Sequence, residues 1–454
     1  MRKIHQTQFS LLPSFLSDFQ EAKELEQMSR VLDANPDMSE LVYQDLVSDK
    51  NPNVGRGGLP ADQVLRLALL KQLRGFSYDE MPFQIADSSS VRRFVRIGIG
   101  DDIPSVTTIW QNITTIQPET WLKIVRRLGK IGVELDVEDG RRVRGDCTVV
   151  ESNIHYPTDS SLLFDFVRVA ARTLGSIYGE DGLEFVFSDH TKRAKRRHIN
   201  IFWTTGKPGA KAKRKKLYQR LLRVARKTKG YIQNALKALD GFSAYWAEGV
   251  AEDLRELMEL GSKVIDQTSR RVVFGKSVPA AEKIVSIFEP HTDIIKKDNF
   301  DPSFGHKVLL GNGASSLILD CLVLDGNPAD STMVDSFIDR VADVTGRVPN
   351  VLAFDGGFCS RENLDKAIAK KVETVCFSKH PGIKSEELSD SKELLKELRH
   401  FRAGVEATIS FLKYGFGWLR CTWRGKSRFH SYVYSAAAAF NLLVIGRHLV
   451  AQET

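Results

Sequence analysis

Three carboxylates lie far apart along the chain, and each has a local sequence that suits a metal-dependent reaction. Asp146 lies in an apolar stretch that predicts a β-strand, and Asp355 directly follows the apolar run 351–354. Glu406 lies in a stretch with helical spacing. Because oxygen ligands suit hard divalent cations, two strand-borne aspartates and one helix-borne glutamate are together typical of a site for phosphoryl transfer on nucleic acid.

Each carboxylate also has a purely structural interpretation. An aspartate before two glycines, such as Asp355 before Gly356 and Gly357, is commonly a turn residue, and a lone helical glutamate such as Glu406 is commonly solvated. Asp146 is harder to explain in this way, because an ionised carboxylate in an apolar strand needs a partner. The two glycines would also let a phosphate backbone approach closely, because they carry no side chain.

The order of the predicted elements would bring these side chains together. The strand 141–152 is followed by a mainly helical stretch, and strands and helices then alternate toward the C-terminus. Later strands are predicted at 307–310, 317–324, 350–354 and 373–377. Without the helical stretch, this order predicts a five-stranded mixed sheet in which the first and fourth strands are parallel neighbours. Asp146 and Asp355 would then be adjacent, where open α/β sheets bind ligands.

The fold class predicted from this order is α/β. It combines a ribonuclease H-like five-stranded mixed sheet, a long helical insertion after the first strand and an all-α N-terminal domain. Asp320 within 317–324 predicts that this strand has one exposed face. The predicted domains are a helical DNA-binding domain at 1–135, a catalytic core at 136–156 and 301–454, and a basic helical insertion at 157–300.

The N-terminal region has the spacing of several short helices joined by polar turns. Ser77 and Glu80 form a capping-box pattern, and further helices are predicted at 91–94 and after Pro104. Arg92 and Arg93 lie in the helix at 91–94 and are candidate DNA contacts. The pattern is equally typical of helix-turn-helix packing and of a generic helical bundle.

Positive charge is concentrated in one segment. The chain has a net charge of +8, yet 191–229 alone contains sixteen Lys or Arg residues and no Asp or Glu. Such a segment favours a polyanionic partner over a merely solvated loop, because apolar residues such as Trp203, Tyr218 and Tyr231 are interleaved with the charges. The candidate DNA contacts here are Lys192, Arg193, Arg196, Arg197, Lys213, Arg214, Lys215 and Lys216.

Cysteine spacing and hydropathy bear on the cellular setting. The five cysteines have no paired spacing, which favours a reducing cytoplasm over a disulfide framework or a zinc site. No charged-then-apolar signal pattern is evident at the N-terminus. The apolar stretch 433–450 is interrupted by Asn441, Arg447 and His448, and it predicts a packed terminal helix rather than a membrane span.

Several motifs together resemble the DDE transposases of bacterial insertion sequences across nearly the whole chain. The resemblance rests on the stretches 58–65, 75–80 and 91–94, on Asp146-Cys-Thr148, on Gly305-His-Lys307, on 326–331 and on Asp355-Gly-Gly-Phe358. The pattern Arg402-x3-Glu406-x6-Lys413 matches the last three positions of the family's Tyr-x2-Arg-x3-Glu-x6-Lys signature. The tyrosine position holds Arg399 instead.

The resemblance implies a set of roles and partners. Asp146, Asp355 and Glu406 would be catalytic and would hold Mg²⁺ (or Mn²⁺), as two ions about 4 Å apart. Arg402 and Lys413 would contact transposon-end DNA, with Arg399 beside them. The partners would be transposon ends and target DNA, without a membrane, and the enzyme would act as a homodimer or higher oligomer. The setting would be the bacterial cytoplasm, associated with the nucleoid.

Three further interpretations remain open. The chain could be a catalytically inactive DNA-binding descendant of a transposase, or a stand-alone metal-dependent nuclease that performs no strand transfer. Glu289, His291 and Asp293 occupy every second position, so they could lie on one face of a strand as metal ligands. A polar linker is the preferred interpretation. His306 and Lys307 are predicted as strand residues, and a position near the metal is the alternative interpretation.

Overall fold

A computed structural model describes residues 3–4, 19–48, 57–98, 100–204, 209–296, 301–379, 381–389 and 391–453. Two predicted features fall partly outside these ranges. They are the first part of the N-terminal domain and positions 205–208 of the basic segment. Within the described ranges the chain forms sixteen α-helices and one open, mixed sheet of six strands.

The N-terminal part of the chain is helical, as predicted. Its helices are α1 (Gln20–Ala34), α2 (Asp37–Val47), α3 (Ala61–Arg74), α4 (Glu80–Asp87), α5 (Ser89–Phe94), α6 (Val106–Thr115) and α7 (Pro118–Glu134).

The capping box is confirmed, because the Ser77 amide donates to Glu80 Oε2 at 2.8 Å and the Glu80 amide donates to Ser77 Oγ at 3.2 Å. Ser88 and Ser105 cap α5 and α6, which confirms the two further helices.

The middle of the chain, between the first strand and the rest of the sheet, is mainly helical. This part contains β1 (Arg142–Glu151), α8 (Asp159–Ile177), α9 (Thr191–Thr204), α10 (Ala210–Leu239), α11 (Ala247–Thr268) and β2 (Asp293–Ile295). A π-helical turn at Ser269–Val273 extends α11. These helices have a hydrophobic core of their own, to which the apolar faces of α8, α10 and α11 contribute.

The C-terminal part alternates strands and helices before ending in two long helices. It contains β3 (Ser303–Asn312), β4 (Ile318–Val323), α12 (Val334–Thr345), β5 (Val351–Phe354), α13 (Arg361–Ala369), β6 (Thr374–Phe377), α14 (Ser385–Leu388), α15 (Lys392–Gly415) and α16 (Lys426–Glu453). The helix that carries Glu406 begins at Lys392, where the Ser391 side chain accepts a hydrogen bond from the Leu394 amide.

The strand order is β2-β3-β1-β5-β6, and β4 also pairs with β3. The predicted parallel pairing of the first strand with the strand before Asp355 is confirmed, because β1 pairs with β5 in parallel. The sheet has six strands instead of the five predicted. The additional strand is β2, whose three residues pair with Ser303–Gly305 at the start of β3.

The predicted exposed face at Asp320 is wrong. Asp320 on β4 is only 5% exposed, and both of its oxygens accept hydrogen bonds from the Arg340 guanidinium at 2.8–3.0 Å. Arg340 lies on α12, which packs on β4. The charged residue therefore marks a buried, bidentate ion pair between strand and helix, since a buried carboxylate requires such a partner.

The terminal helix α16 is the one helix in the described ranges that is long and apolar enough to cross a membrane by length and composition. However, 78% of its most apolar 18-residue window is buried within the protein. It packs against α7, α1 and α3, as expected of the predicted packed terminal helix. A helix that is apolar on all sides is typical of a protein core as well as of a membrane.

The chain divides into two compact units. One comprises residues 1–151 and 306–454, and the other comprises residues 152–305. The predicted N-terminal domain and most of the predicted catalytic core thus lie in the same unit, where one hydrophobic core runs through the N-terminal helices, the sheet and α16. The predicted insertion at 157–300 makes up most of the other unit.

Candidate active site

Asp146 and Asp355 lie on neighbouring parallel strands. The register of β1 and β5 pairs Gly145 with Phe354, so the next residues along the two strands are Asp146 and Asp355. Adjacent strands are separated by about 4.8 Å. Two residues that are 209 positions apart in the sequence are therefore brought side by side.

A glycine before Asp146 allows this close packing. A Cβ atom on Gly145 would lie 2.7 Å from Cε1 of Phe354, a distance too short for two carbon atoms. Phe354 is fully buried and packs edge-on against Phe337, with ring centroids 5.1 Å apart. The close pairing of β1 and β5 at Asp146 thus depends on the absence of a side chain at the preceding position.

Arg144 anchors the helix that carries Glu406 to the first strand. Its Nη1 donates to the Phe401 carbonyl at 2.8 Å, and its guanidinium lies 4.8 Å from the centroid of the Phe401 ring. Its Nε donates to Asn312 Oδ1 at 3.2 Å, and Asn312 Nδ2 donates to Thr408 Oγ1 at 2.9 Å. Phe401 and Thr408 are seven residues apart and hence lie on one face of α15, and these contacts hold that face on the sheet.

Gly404 lets α15 lie directly on this arginine. A Cβ atom at Gly404 would be 2.0 Å from Arg144 Nη1. Arg144 is only 7% exposed and is held by several hydrogen bonds, so it could not easily move aside. The face of α15 next to this contact carries Arg402 and Glu406.

Arg402 connects the carboxylates. Its Nη1 donates to Glu406 Oε1 at 2.8 Å and lies 3.7 Å from Asp146 Oδ2. The side chains of Arg402 and Asp146 are 16% and 20% exposed, whereas that of Glu406 is 61% exposed. The guanidinium therefore lies between an aspartate on the sheet and a glutamate on the helix, and partly neutralises both.

Asp355 is held in its ionised form. Burial alone would raise the pKa of Asp355, but hydrogen bonds from the Ser378 hydroxyl and the Gly356 amide outweigh this effect. The charges of Arg402 and Lys379 act in the same direction, and the pKa of Asp355 lies below its ordinary value. A carboxylate that stays ionised is available to a cation over a wide pH range.

The donor chemistry fits a divalent cation, but the side chains are not gathered around one point. Among the residues that the structure describes, no three His, Cys, Asp or Glu side chains are grouped closely enough to hold a metal ion. Three carboxylates around one guanidinium nevertheless form a strongly cation-attracting site. Asp146, Asp355 and Glu406 supply the hard oxygen atoms that Mg²⁺ prefers.

Lys307, predicted as a strand residue, lies on β3 and forms a second ionic group with Asp330 next to Cys147. Lys307 Nζ lies 2.5 Å from Asp330 Oδ1 and also donates to the Pro328 carbonyl at 2.8 Å. Burial, followed by the charge of Asp330, raises the pKa of the Cys147 thiol. Lys307 and Asp330 belong to two of the motifs used above, but their pairing depends on the fold of β3 and the turn after β4.

The space beside the two glycines after Asp355 is occupied by the protein itself. A Cβ atom at Gly356 would lie 2.8 Å from Cβ of Lys379, and one at Gly357 would lie 2.9 Å from Asp330 Oδ2. The glycines therefore serve the packing of the loop after β5. The prediction that they clear room for a phosphate backbone is not what their contacts indicate.

The predicted DNA contacts on α15 lie around the carboxylates. Arg402 is paired with Glu406, as described, and Arg399 lies one turn before it with an exposed side chain. Lys413 lies seven residues after Glu406, about 10 Å along the helix on the same side. This arrangement follows the spacing of the sequence motif, because the motif lies within one uninterrupted helix.

The two N-terminal arginines have different surroundings. Arg92 is half-buried, and its guanidinium donates to the carbonyls of Ile97 and Gly98. Arg93 is 54% exposed and forms an ion pair with Glu26 at 2.9 Å. Arg92 thus helps to hold the turn after α5, whereas Arg93 is accessible to a partner.

The basic segment forms an amphipathic helical pair in the second unit. Lys192, Arg193 and Arg196 on α9 are exposed, and Arg197 is half-buried with its Nη1 donating to the Arg220 carbonyl. On α10, Lys213, Lys215 and Lys216 are exposed, and Arg214 is half-buried.

The apolar residues interleaved with these charges belong mostly to the core. Tyr218 and Tyr231 are buried with Leu221, Leu222 and Val224 against the other helices of this unit. They therefore provide no argument for a nucleic-acid partner. Trp203, 66% exposed at the end of α9, is the exception.

The histidine candidates are buried or paired. His291 Nε2 lies 2.7 Å from Glu289 Oε2, and Glu289 is 3% exposed. His306 on β3 is 1% exposed and packs edge-on against Phe429 with ring centroids 4.7 Å apart. Only Asp293 of the alternating run lies in a strand, which agrees with the preferred linker interpretation.

Two protein-family models match this chain. A family model described as a transposase DDE domain matches residues 299–442, and a second model, the transposase domain DUF772, matches residues 14–115. No curated protein and no solved structure gives a significant match. The two matched ranges together span more than half of the chain. The protein therefore belongs to the DDE-type insertion-sequence transposases.

Membership of this family indicates the general type of reaction and substrate. The DDE transposases are metal-dependent DNA-cleaving enzymes that generally use divalent ions, and their substrate is DNA. The matched DDE domain contains β5, α15 and most of α16, and thus Asp355 and Glu406. Asp146 lies outside the matched range, and the register of β1 with β5 and the Arg402 guanidinium connect it to the other two carboxylates.

Proposed function

We propose that this transposase binds the inverted repeats at the ends of its element and catalyses metal-dependent DNA cleavage and strand transfer. The observation that carries the proposal is the relation of the three carboxylates. Asp146 and Asp355 lie on paired parallel strands, and Glu406 is joined to Asp146 through Arg402. Carboxylates from two strands and one helix provide the oxygen ligands that phosphoryl transfer on DNA requires.

The catalytic core is proposed to be ribonuclease H-like. Support comes from the order β4-β3-β1-β5-β6, which remains when the three-residue strand β2 is set aside. Further support comes from the parallel pairing of β1 and β5 and from the long helical stretch between β1 and β3. In such a core the reacting carboxylates belong on the two central parallel strands.

The residues of this chain would divide the work as follows. Asp146, Asp355 and Glu406 would hold Mg²⁺ or Mn²⁺, as two ions, and Ser378 would keep Asp355 ionised and oriented. When bound, the metal would lower the pKa of the attacking water or 3′-hydroxyl and stabilise the leaving 3′-oxygen. Arg402 would neutralise the carboxylates before the metal arrives and then be released toward a DNA phosphate.

DNA binding is proposed for several basic surfaces. Lys413 and Arg399 on α15 would contact phosphates close to the reacting bond, because they lie on the helix of Glu406. The exposed Lys and Arg side chains of α9 and α10 would bind duplex DNA through its phosphates. The N-terminal helices, including Arg93, would contribute to recognition of the element ends.

The assembly and location follow from this reaction. Two element ends must be handled together, so the active form is proposed to be a homodimer or higher oligomer on DNA. The proposed site of action is the bacterial cytoplasm, in association with the nucleoid. The exposed basic faces would hold the protein on DNA most strongly at low ionic strength, because phosphate contacts release counterions.

The experiment is a strand-transfer assay with pre-cut element ends, a supercoiled target plasmid and Mg²⁺. The wild-type protein is expected to join the ends to the plasmid, and Asp355→Ala is expected to abolish joining while end binding persists. Asp365→Ala, on the surface of α13, is the matched control. Full joining by Asp355→Ala would exclude the proposal.

The product pattern separates the remaining possibilities. Hydrolysed ends without any joined product would identify a stand-alone nuclease. Tight binding of the ends without metal-dependent cleavage would identify an inactive, DNA-binding descendant.

A further inference from the structure

A cavity of about 620 Å³ lies in the first unit, and its lining residues do not include Asp146, Asp355 or Glu406. Its walls come from the turn between α3 and α4, from α6, and from the segment that joins α15 to α16. The cavity is large enough for one nucleotide, and its chemistry differs from that of an ordinary gap between helices.

Aromatic rings dominate the walls. Trp110 on α6 is 41% exposed at the surface, whereas Trp423 is only 7% exposed within the wall. Trp110, Phe76 and Tyr78 keep accessible surface, and such rings offer flat faces on which a nucleobase can stack, since every base has such a face. The aromatic residues lining it are Phe76, Tyr78, Trp110, Phe416, Trp423 and Tyr432.

Cations accompany the rings. The guanidinium of Arg428 lies 5.7 Å from the centroid of the Trp110 ring, and Lys71 Nζ lies 4.8 Å from that of Tyr78. Two acidic side chains, Asp79 and Glu80, also line the cavity. Glu80 is engaged by the amide and hydroxyl of Ser77 in the capping box, so it already has partners.

A second, smaller cavity adjoins the first. It has a volume of about 330 Å³ and shares Thr114, Arg424 and Arg428 with the aromatic cavity. No acidic residue is among its described lining residues, which include Lys426 and Ser427 at the start of the 28-residue helix α16. Arginines beside the first turn of a long helix provide the surroundings that a phosphate group prefers.

The aromatic cavity also contains polar groups that lack a partner. Trp423 Nε1 and Tyr78 Oη are buried and have no hydrogen-bond partner among the described residues. A buried indole N–H or phenol is normally paired, because leaving it unpaired costs free energy.

We propose that this aromatic cavity and the adjoining basic cavity together bind one unpaired nucleotide of the DNA substrate. The base stacks on Trp110, beside Phe76 and Tyr78, and its phosphate contacts Arg424 and Arg428. The inference rests on the proposed function, because the nucleotide belongs to the DNA that the enzyme processes. The site lies near the reaction: Phe416 is ten residues after Glu406, about 15 Å along the direction of α15.

The proposal is tested with a single-stranded oligonucleotide that contains one 2-aminopurine, whose fluorescence is quenched on stacking. A blunt duplex of equal length and free 2-aminopurine nucleotide are measured in parallel. Trp110→Ala and Arg424→Ala are expected to weaken binding of the single strand at least about fivefold, the lower end for loss of one stacked base. Both are expected to reduce the quenching and to leave duplex binding within about twofold.

Phe83→Ala is the matched control, since Phe83 is an aromatic residue on the neighbouring helix α4 that is 64% exposed and does not line the cavity. Thermal unfolding of each variant checks that the fold is retained.

Unchanged single-strand binding and quenching in both cavity variants, with duplex binding intact, would overturn the inference and leave the proposed function standing. Equal affinity for the free nucleotide would overturn its assignment to DNA. Failure of the wild-type protein to bind either DNA would overturn both the inference and the proposed function.

Discussion

Arg402 and Glu406 form an ion pair within the proposed active site, with Nη1 and Oε1 2.8 Å apart on successive turns of α15. The same guanidinium atom lies 3.7 Å from Asp146 Oδ2. The carboxylates that would hold a divalent cation are thus already associated with an organic cation of the protein. Metal binding and release of Arg402 should therefore be coupled.

This coupling predicts that removing the guanidinium favours metal. Arg402→Gln is expected to bind Mn²⁺ at least about fivefold more tightly in the absence of DNA, since two unit charges about 4 Å apart interact by about 1 kcal/mol even in bulk water. Electron paramagnetic resonance of free Mn²⁺ measures the affinity. Arg399→Gln, one turn earlier on the same helix, is the control and should change it less. Weaker Mn²⁺ binding by Arg402→Gln would show that the arginine supports the site rather than competing with the metal.

The position of α15 depends on the absence of a side chain at Gly404. Gly404→Ala would place a Cβ atom against the buried Arg144 guanidinium and is expected to destabilise the protein by about 1–3 kcal/mol, as overpacking does. Strand transfer should fall as well, because Glu406 moves with the helix. Gly415→Ala is the control, since its Cβ would meet only Phe411 at an ordinary 3.6 Å. Equal urea-unfolding midpoints for the two variants would contradict this account.

The buried ion pair of the sheet leads to a stability prediction. Arg340→Met would leave Asp320 without its cation and is expected to cost about 3–5 kcal/mol in the free energy of unfolding. Asp320→Leu combined with Arg340→Met should recover much of that loss, because no buried charge remains. Lys370→Met, which breaks surface ion pairs with Asp335 and Asp339, should cost less than about 1 kcal/mol. A negligible effect of Arg340→Met in urea unfolding would argue against the pair.

The capping box of α4 gives a pH dependence with a definite sign. The hydrogen bonds from the Ser77 amide and hydroxyl hold the pKa of Glu80 below its ordinary value. A lowered folded-state pKa contributes stability that is present above the unfolded value of about 4.3 and is lost as the pH falls through the folded value.

Glu80→Gln should therefore unfold at lower temperature than the wild type at pH 7, and the difference should shrink as the pH falls below about 4. Calorimetry over this pH range provides the measurement. Glu386→Gln, an exposed glutamate of α14, is the control. A difference that grows as the pH falls would have the wrong sign.

Much of the fold could be predicted because the relevant signals are local. Apolar runs identified β1 and β5, serine caps identified α5 and α6, and the order of elements was enough to predict that β1 and β5 pair. The placement of Glu406 relative to Lys413 followed from helical spacing alone.

Other features depend on contacts between distant segments. Asp320 suggested an exposed strand because its partner Arg340, twenty residues away, cannot be recognised from hydropathy. The apolar residues of α10 suggested a DNA surface, although they form the buried side of an amphipathic helix. The guanidinium of Arg402 between two carboxylates, and the aromatic cavity, became visible only with side-chain positions.

Manganese anomalous diffraction from crystals of the protein bound to end DNA and Mn²⁺ tests the central assignment most directly. The account predicts an anomalous peak with oxygens of Asp146, Asp355 and Glu406 at about 2.0–2.3 Å, and Arg402 displaced from Glu406 onto a phosphate. A peak away from these three carboxylates, or Arg402 still between Asp146 and Glu406 with DNA and metal present, would contradict it.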